Sequence, residues 1–177
     1  DVSRLTRALM GEGVSRSTVS RITKSLEERI EALRSEPISQ EMPYLFLDAT
    51  YVDARWARSV ENVSALVAYG VGLDGHRHLL AVTIGSEESD ESWGELLSQL
   101  LDRGLTGVRL VISDDHRGLA KAARRLLPEA KQQRCTVHLT RNVMTKAPHR
   151  LRARVARAVT GVFHADSLAE AKRRLVA

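Results

Sequence analysis

Two short apolar runs, each closing on an aspartate, constrain this chain most. YLFLD ends at Asp48 and VRLVISD ends at Asp114. Each run is rich in strand formers and reads as a buried strand. If the two strands are parallel neighbours, both carboxylates emerge at one sheet edge, where open α/β sheets place their active sites. Carboxylates held close repel, so one takes a proton or a cation sits between them. Two acids from separate strands are therefore a candidate divalent-metal site for phosphoryl transfer. Asp114 directly continues its strand and is the expected ligand. Asp115 points elsewhere and is the expected N-cap of the next helix. His116, at that helix start, is expected to face solvent.

The N-terminal stretch has a different pattern. Leu5, Leu9 and Met10 mark a short amphipathic helix, GEG breaks it, and Ser15 is a suitable N-cap for a second. There Val19, Ile22, Leu26, Ile30 and Leu33 recur in steps of three and four, predicting one buried face. Residues 1–36 thus read as a helix-turn-helix-like DNA-binding segment or as an ordinary αα-hairpin. In the first reading Arg16, Ser17, Thr18, Arg21 and Lys24 lie on the groove-facing side. Residues 37–43, between Pro37 and Pro43, form a linker.

Beyond the linker the pattern turns extended. Strands are expected over 44–50, 62–73, 78–85 and 108–113, with a fifth over 131–139. Asp74-Gly75 marks a hairpin turn. Helices are expected over 89–103, stopped by Gly104, and 118–127, stopped at Pro128. The layout of three strands, helix, strand, helix, strand is that of a ribonuclease H-like mixed α/β sheet, in which the first and fourth strands are parallel neighbours. Residues 44–140 are the expected first part of such a core, and the basic tail 141–177 is helical.

Charge is unevenly spread. From Arg117 onward there are 15 Lys and Arg against 3 acids, whereas residues 37–116 hold 5 basic residues against 13 acids. A basic third beside an acidic core suits a protein that holds a polyanion and a metal in adjacent places. Arg150, Arg152, Arg154 and Arg157, and later Lys172, Arg173 and Arg174, could follow a DNA backbone, or could simply form a solvated helix face; Arg141 is a further DNA-binding candidate. Cys135 and His138 make a C-x-x-H pair. A structural zinc needs four ligands and there is no second cysteine, so a polar contact shaping the acid pocket is the better reading. A single cysteine also excludes an internal disulfide. No apolar run approaches the length needed to span a bilayer.

The strings SRSTVSRITKSLEE, PYLFLDATYVDAR, ESWGELLSQLLDRGL, VISDDHRGLAKA and QQRCTVHLTRN together resemble the bacterial Mutator-type insertion-sequence transposases, a group of DDE recombinases. That resemblance implies a metal-dependent enzyme that cuts and joins DNA at element ends, using Mg²⁺ or Mn²⁺. Asp48 and Asp114 match the first two acids of the triad, and Cys135 and His138 match the family's C-x-x-H motif. The tail from Arg141 resembles the start of the all-helical insertion. The third acid, a glutamate, is expected outside this chain, since the SLAEAKRRL surroundings of Glu170 do not resemble its region. The chain is accordingly expected to be a fragment, inactive alone. The alternative is a DNA-binding remnant that occupies element ends without cutting. The expected partners are terminal inverted repeats, target DNA and, in the parent protein, further copies of itself. The expected location is the bacterial cytoplasm, at the nucleoid, with no membrane partner.

Overall fold

The computed structural model describes residues 15–56, 59–85 and 87–176. Helix α1 (Arg16–Ser35) leads to a hairpin of β1 (Tyr44–Trp56) and β2 (Ser59–Val71), followed by β3 (Arg77–Gly85). Then come α2 (Asp90–Asp102), β4 (Leu110–Ser113), α3 (Arg117–Leu126) and β5 (Lys131–Arg134). The chain continues through α4 (Thr136–Lys146), a 3₁₀ turn (His149–Leu151), α5 (Arg152–Phe163) and α6 (Leu168–Val176). The strands form one mixed sheet in the order β3-β2-β1-β4-β5. β1 and β2 are antiparallel, as are β2 and β3, whereas β4 runs parallel to both β1 and β5.

The core lies between one sheet face and two helices. Leu45, Leu47, Leu66, Ala68 and Val111 point from the sheet towards Trp93, Leu96, Leu97 and Leu100 of α2 and Leu119, Ala122 and Ala123 of α3, all buried. Alternate residues face the other way, where Phe46 stacks on Tyr69 with ring centroids 5.0 Å apart. The Arg77 guanidinium lies over both rings. With few aromatic residues available, aliphatic side chains and Trp93 carry the packing.

Local signals explain most element ends. Ser89 and Ser92 form a reciprocal capping box at the start of α2. Gly104 follows the helix at φ +98°, a conformation open to glycine at little cost. Gly75 occupies the turn between β2 and β3 at φ +76°. Gly118, early in α3, has a different reason. A Cβ there would stand 2.6 Å from the Asp90 backbone nitrogen and 2.8 Å from the Ser89 carbonyl carbon. Alanine would gain about 0.5–1 kcal/mol in helix propensity, but overpacking against rigid backbone costs about 1–3 kcal/mol. Gly118→Ala is therefore expected to lower stability, which urea denaturation will show as a lower midpoint.

Asp90, beside that contact, ties the two helices together. Its carboxylate receives Lys121 Nζ at 2.8 Å and Arg125 Nη2 at 3.4 Å. The Lys121 hydrogen bond, helped by the Arg125 charge, holds Asp90 below the usual carboxylate range. A depressed carboxylate stabilises the fold above its unfolded pKa, about 3.9, and loses that contribution as pH falls through the folded value. Asp90→Asn should thus lower the melting temperature at pH 7, and the gap to wild type should close in scans below about pH 4.

The structure corrects four sequence-based expectations here. The first hairpin is longer than expected, because alternating residues such as Tyr51, Val52 and Val63 extend the ladder to Trp56↔Ser59. The fifth strand is shorter: it ends at Arg134, and Thr136–Lys146 is helical, so α4 crosses the 140/141 boundary. The apolar stripe of α1 is not buried, with Ile22, Leu26 and Ile30 each about half exposed. Near its end the helix meets β3, where Arg34 Nη2 donates to the Val82 carbonyl at 3.5 Å. Asp115 does not cap α3; it pairs with Arg134 at 3.2 Å, and the cap position belongs to His116. The first helix and glycine turn of the expected helix-turn-helix lie outside the described residues.

Candidate metal and nucleic-acid site

The β1–β4 register places the two aspartates. Tyr44, Leu45 and Phe46 pair in parallel with Leu110, Val111 and Ile112. The same register, continued two residues, brings Asp48 opposite Asp114, the residue that follows β4. Neighbouring strands lie about 4.8 Å apart, so the two acids sit side by side where β4 ends; Asp48 does not close its own strand as expected, because the ladder with β2 carries β1 on to Trp56. Both alternate with the buried Leu47 and Ser113, which puts them on the sheet face away from α2 and α3. Asp48 is close to half exposed, with 45% of its side chain accessible.

Each aspartate has a neighbour that limits its freedom. Asp114 Oδ1 accepts the His116 backbone N–H at 3.0 Å, an aspartate turn that leaves its other oxygen available. His138 Nε2 lies 3.7 Å from Asp48 Oδ1. The C-x-x-H pair reaches this edge because Cys135 continues directly from β5. The Cys135 backbone N–H donates to the Ser113 carbonyl at 2.5 Å, and α4 then carries His138 back over β1. Cys135 touches the end of β4 through its backbone, and His138 faces Asp48 through its ring.

The donor set fits a hard cation. Mg²⁺ is usually held by one or two carboxylates and keeps several waters, which matches two partly exposed oxygen donors at an open edge. Among the described residues no three His, Cys, Asp or Glu side chains converge to hold an ion. Glu170 is engaged elsewhere, paired with Arg174 of its own helix.

The basic residues come from the first helix and from the helices that follow β5. Arg16, Ser17 and Thr18 start α1, where the Ser15 hydroxyl accepts the Thr18 N–H and contacts the hydroxyls of Ser17 and Thr18. Arg21 and Lys24 follow on the same exposed helix. Arg141 lines a groove between α4 and α5 with Thr136, Thr140 and His164, and Arg150 lies exposed in the 3₁₀ turn.

One acid near the site escaped the sequence reading. Glu88 is only 7% exposed and accepts the Trp93 indole N–H at 2.9 Å. His116 Nδ1 stands 3.1 Å from the same carboxylate oxygen, so this histidine is tucked against Glu88 rather than turned to solvent. The available signal was the spacing: an acid five residues before a buried tryptophan, just ahead of a helix cap.

Comparison with known proteins agrees with the resemblance in the sequence. The description of the Mutator family of transposases matches residues 1–177. The transposase for insertion sequence element ISRM5 of Rhizobium meliloti is 37% identical over 99% of this chain and 44% of its own length. The transposase for IS256 in transposon Tn4001 of Staphylococcus aureus is 36% identical over 99% of this chain and 46% of its own. That for IS406 of Burkholderia multivorans is 38% identical over 96% and 44%. The chain therefore spans under half the length of these relatives. Among solved structures, the Drosophila P element transposase strand transfer complex matches with a TM-score of 0.48 and 15% identity, over 80% of this chain and 40% of that one. The chain belongs to the Mutator family of transposases.

Proposed function

We propose that this chain carries the first two metal-binding acids of a DDE transposase on a ribonuclease H-like sheet, and that the protein to which it belongs cuts and joins DNA at the ends of an insertion sequence. The observation that carries this is the register of β1 and β4, which sets Asp48 opposite Asp114. The insertion-sequence transposases that match nearly all of the chain support it over a DNA-binding remnant. A divalent ion between the acids would neutralise charge at the reacting phosphate and activate the attacking oxygen. The chain's own residues position and neutralise. Asp48 and Asp114 present carboxylate oxygens at the edge, and the His116 N–H fixes the rotamer of Asp114. His138 stands over Asp48 and restricts its swing. Arg16, Arg21 and Lys24 of the helix-turn-helix reading, with Arg141 and Arg150, would meet phosphates. A third carboxylate would complete the site from outside the present sequence, and bringing two element ends together would need more than one copy of the parent protein. No helix among the described residues is long and apolar enough to cross a membrane.

The test is a nicking assay on labelled duplexes carrying element ends, run with Mg²⁺ or Mn²⁺. Metal-dependent nicking that vanishes in Asp48→Ala supports the reading, as does metal binding without nicking when both aspartates are required. Duplex binding that ignores metal, in a folded chain that binds no ion, would sink it and leave a DNA-binding role alone.

A further inference from the structure

We infer that Glu88 is a positioning residue for Asp114, acting through His116; this rests on the reading of Asp114 as a metal ligand. The chain of contacts is short. Trp93, fully buried in the core, donates its indole N–H to Glu88 Oε1 at 2.9 Å. The same oxygen stands 3.1 Å from His116 Nδ1. That nitrogen is buried and has no hydrogen-bond partner of good geometry among the described residues, so Glu88 is the acceptor its ring has at hand. The backbone N–H of His116 in turn holds Asp114 Oδ1 at 3.0 Å.

A carboxylate is costly to bury unless its oxygens are engaged, and Glu88 is only 7% exposed. Its position is unsuited to binding an ion directly, because it lies on the helix side of the edge, under the turn. It suits bracing instead. Trp93 is held by the core, Glu88 by Trp93, the His116 ring by Glu88, and the turn that orients Asp114 by His116. The close approach of Gly118 to the Asp90 and Ser89 backbone locks the two helix starts together and keeps Glu88 beside His116. Outer partners of metal ligands fix ligand direction in this way, and their loss commonly weakens metal affinity about 10–100-fold.

The test compares Glu88→Ala, Glu88→Gln and His116→Ala with wild type by two readouts. One is hydrogen exchange of the His116 amide by NMR, with the Val111 amide of β4 as internal reference. The other is Mn²⁺ affinity by calorimetry. Glu88→Ala is expected to speed exchange at His116 at least about tenfold relative to Val111 and to weaken Mn²⁺ binding about 10–100-fold. Glu88→Gln keeps an oxygen acceptor for both Trp93 and His116 and is expected to restore both readouts. A folded Glu88→Ala with unchanged exchange and unchanged affinity overturns the assignment. So does an equal acceleration at His116 and Val111, which would mean that Glu88 serves only the fold. If Glu88→Ala fails to fold, His116→Ala carries the same decision, since it leaves the Trp93–Glu88 bond intact. If wild type binds no Mn²⁺, the metal reading fails, and exchange at His116 alone decides whether Glu88 braces the turn.

Discussion

Mn²⁺ or Mg²⁺ titrated into the wild-type chain should give a binding isotherm, and the same titration into Asp48→Ala/Asp114→Ala should give none. Either single alanine should weaken binding strongly, because it removes one of the two proposed carboxylate ligands. The effect should not be mistaken for unfolding. Two like charges about 5 Å apart repel by roughly 1 kcal/mol in water and about 3 kcal/mol at an effective dielectric of 20. Both aspartates are partly exposed, so the lower figure is nearer. The double variant sheds that repulsion but also loses the Asp114 hydrogen bond to the His116 N–H, a contribution of about 0.5–1.5 kcal/mol, so in metal-free buffer it should melt close to wild type. With metal added, only wild type should gain stability, since an ion that binds only the folded state stabilises it. Thermal melts with and without Mn²⁺ test both halves. A double variant that still binds the ion, or that gains stability from it as wild type does, would contradict the assignment of the two acids.

Trp93→Ala should bring the largest loss of stability of any single change in the core. Trp93 heads the fully buried side chains and has no accessible surface. Truncating a buried tryptophan costs about 3–5 kcal/mol. The loss of its N–H also strips Glu88 of its hydrogen-bond donor, and a buried acceptor without its partner costs roughly a further 1–3 kcal/mol. Against a typical domain stability of about 5–15 kcal/mol, the variant sits near the edge of folding. Trp93→Phe keeps the six-membered ring but loses the fused five-membered ring with its N–H, so it should fall between wild type and Trp93→Ala. Urea denaturation followed by circular dichroism measures all three. A Trp93→Ala cost below about 2 kcal/mol would mean that the site collapses around the missing ring.

The sequence was most legible where one physical rule acts alone. The strands that carry Asp48 and precede Asp114 were legible because short apolar runs rich in strand formers fit buried strands. The strand order that joins them followed from the alternation of strands and helices. Gly104 and Asp74-Gly75 announced their turns through backbone chemistry that few residues share. The failures have a common cause, which is contact between segments distant in sequence. The stripe of Ile22, Leu26 and Ile30 has helical periodicity, but periodicity does not say what covers it. Asp115 looked like a cap because caps are local, whereas its actual partner, Arg134, comes from the following strand. QRCTVHL reads equally as strand or helix, and the link from the Cys135 amide to the end of β4 accompanies the change to helix. Glu88 gave only a local sign, an acid just ahead of a helix cap, because its partners, Trp93 and His116, belong to two different helix starts.

The parallel pairing of β1 with β4 also bears on when the acid edge comes into being. β1 and β2 join through a tight hairpin, a local contact that closes fast. Asp48 and Asp114 are 66 residues apart, with two further strands and a whole helix between them. Closing so long a segment is entropically demanding and is repaid only when the distant strands meet. During synthesis, Asp48 therefore leaves the ribosome long before its counterpart exists, and His138 emerges later still. Until β4 has docked, a nascent chain holds Asp48 without its neighbour, so translation halted early leaves a hairpin without the paired acids.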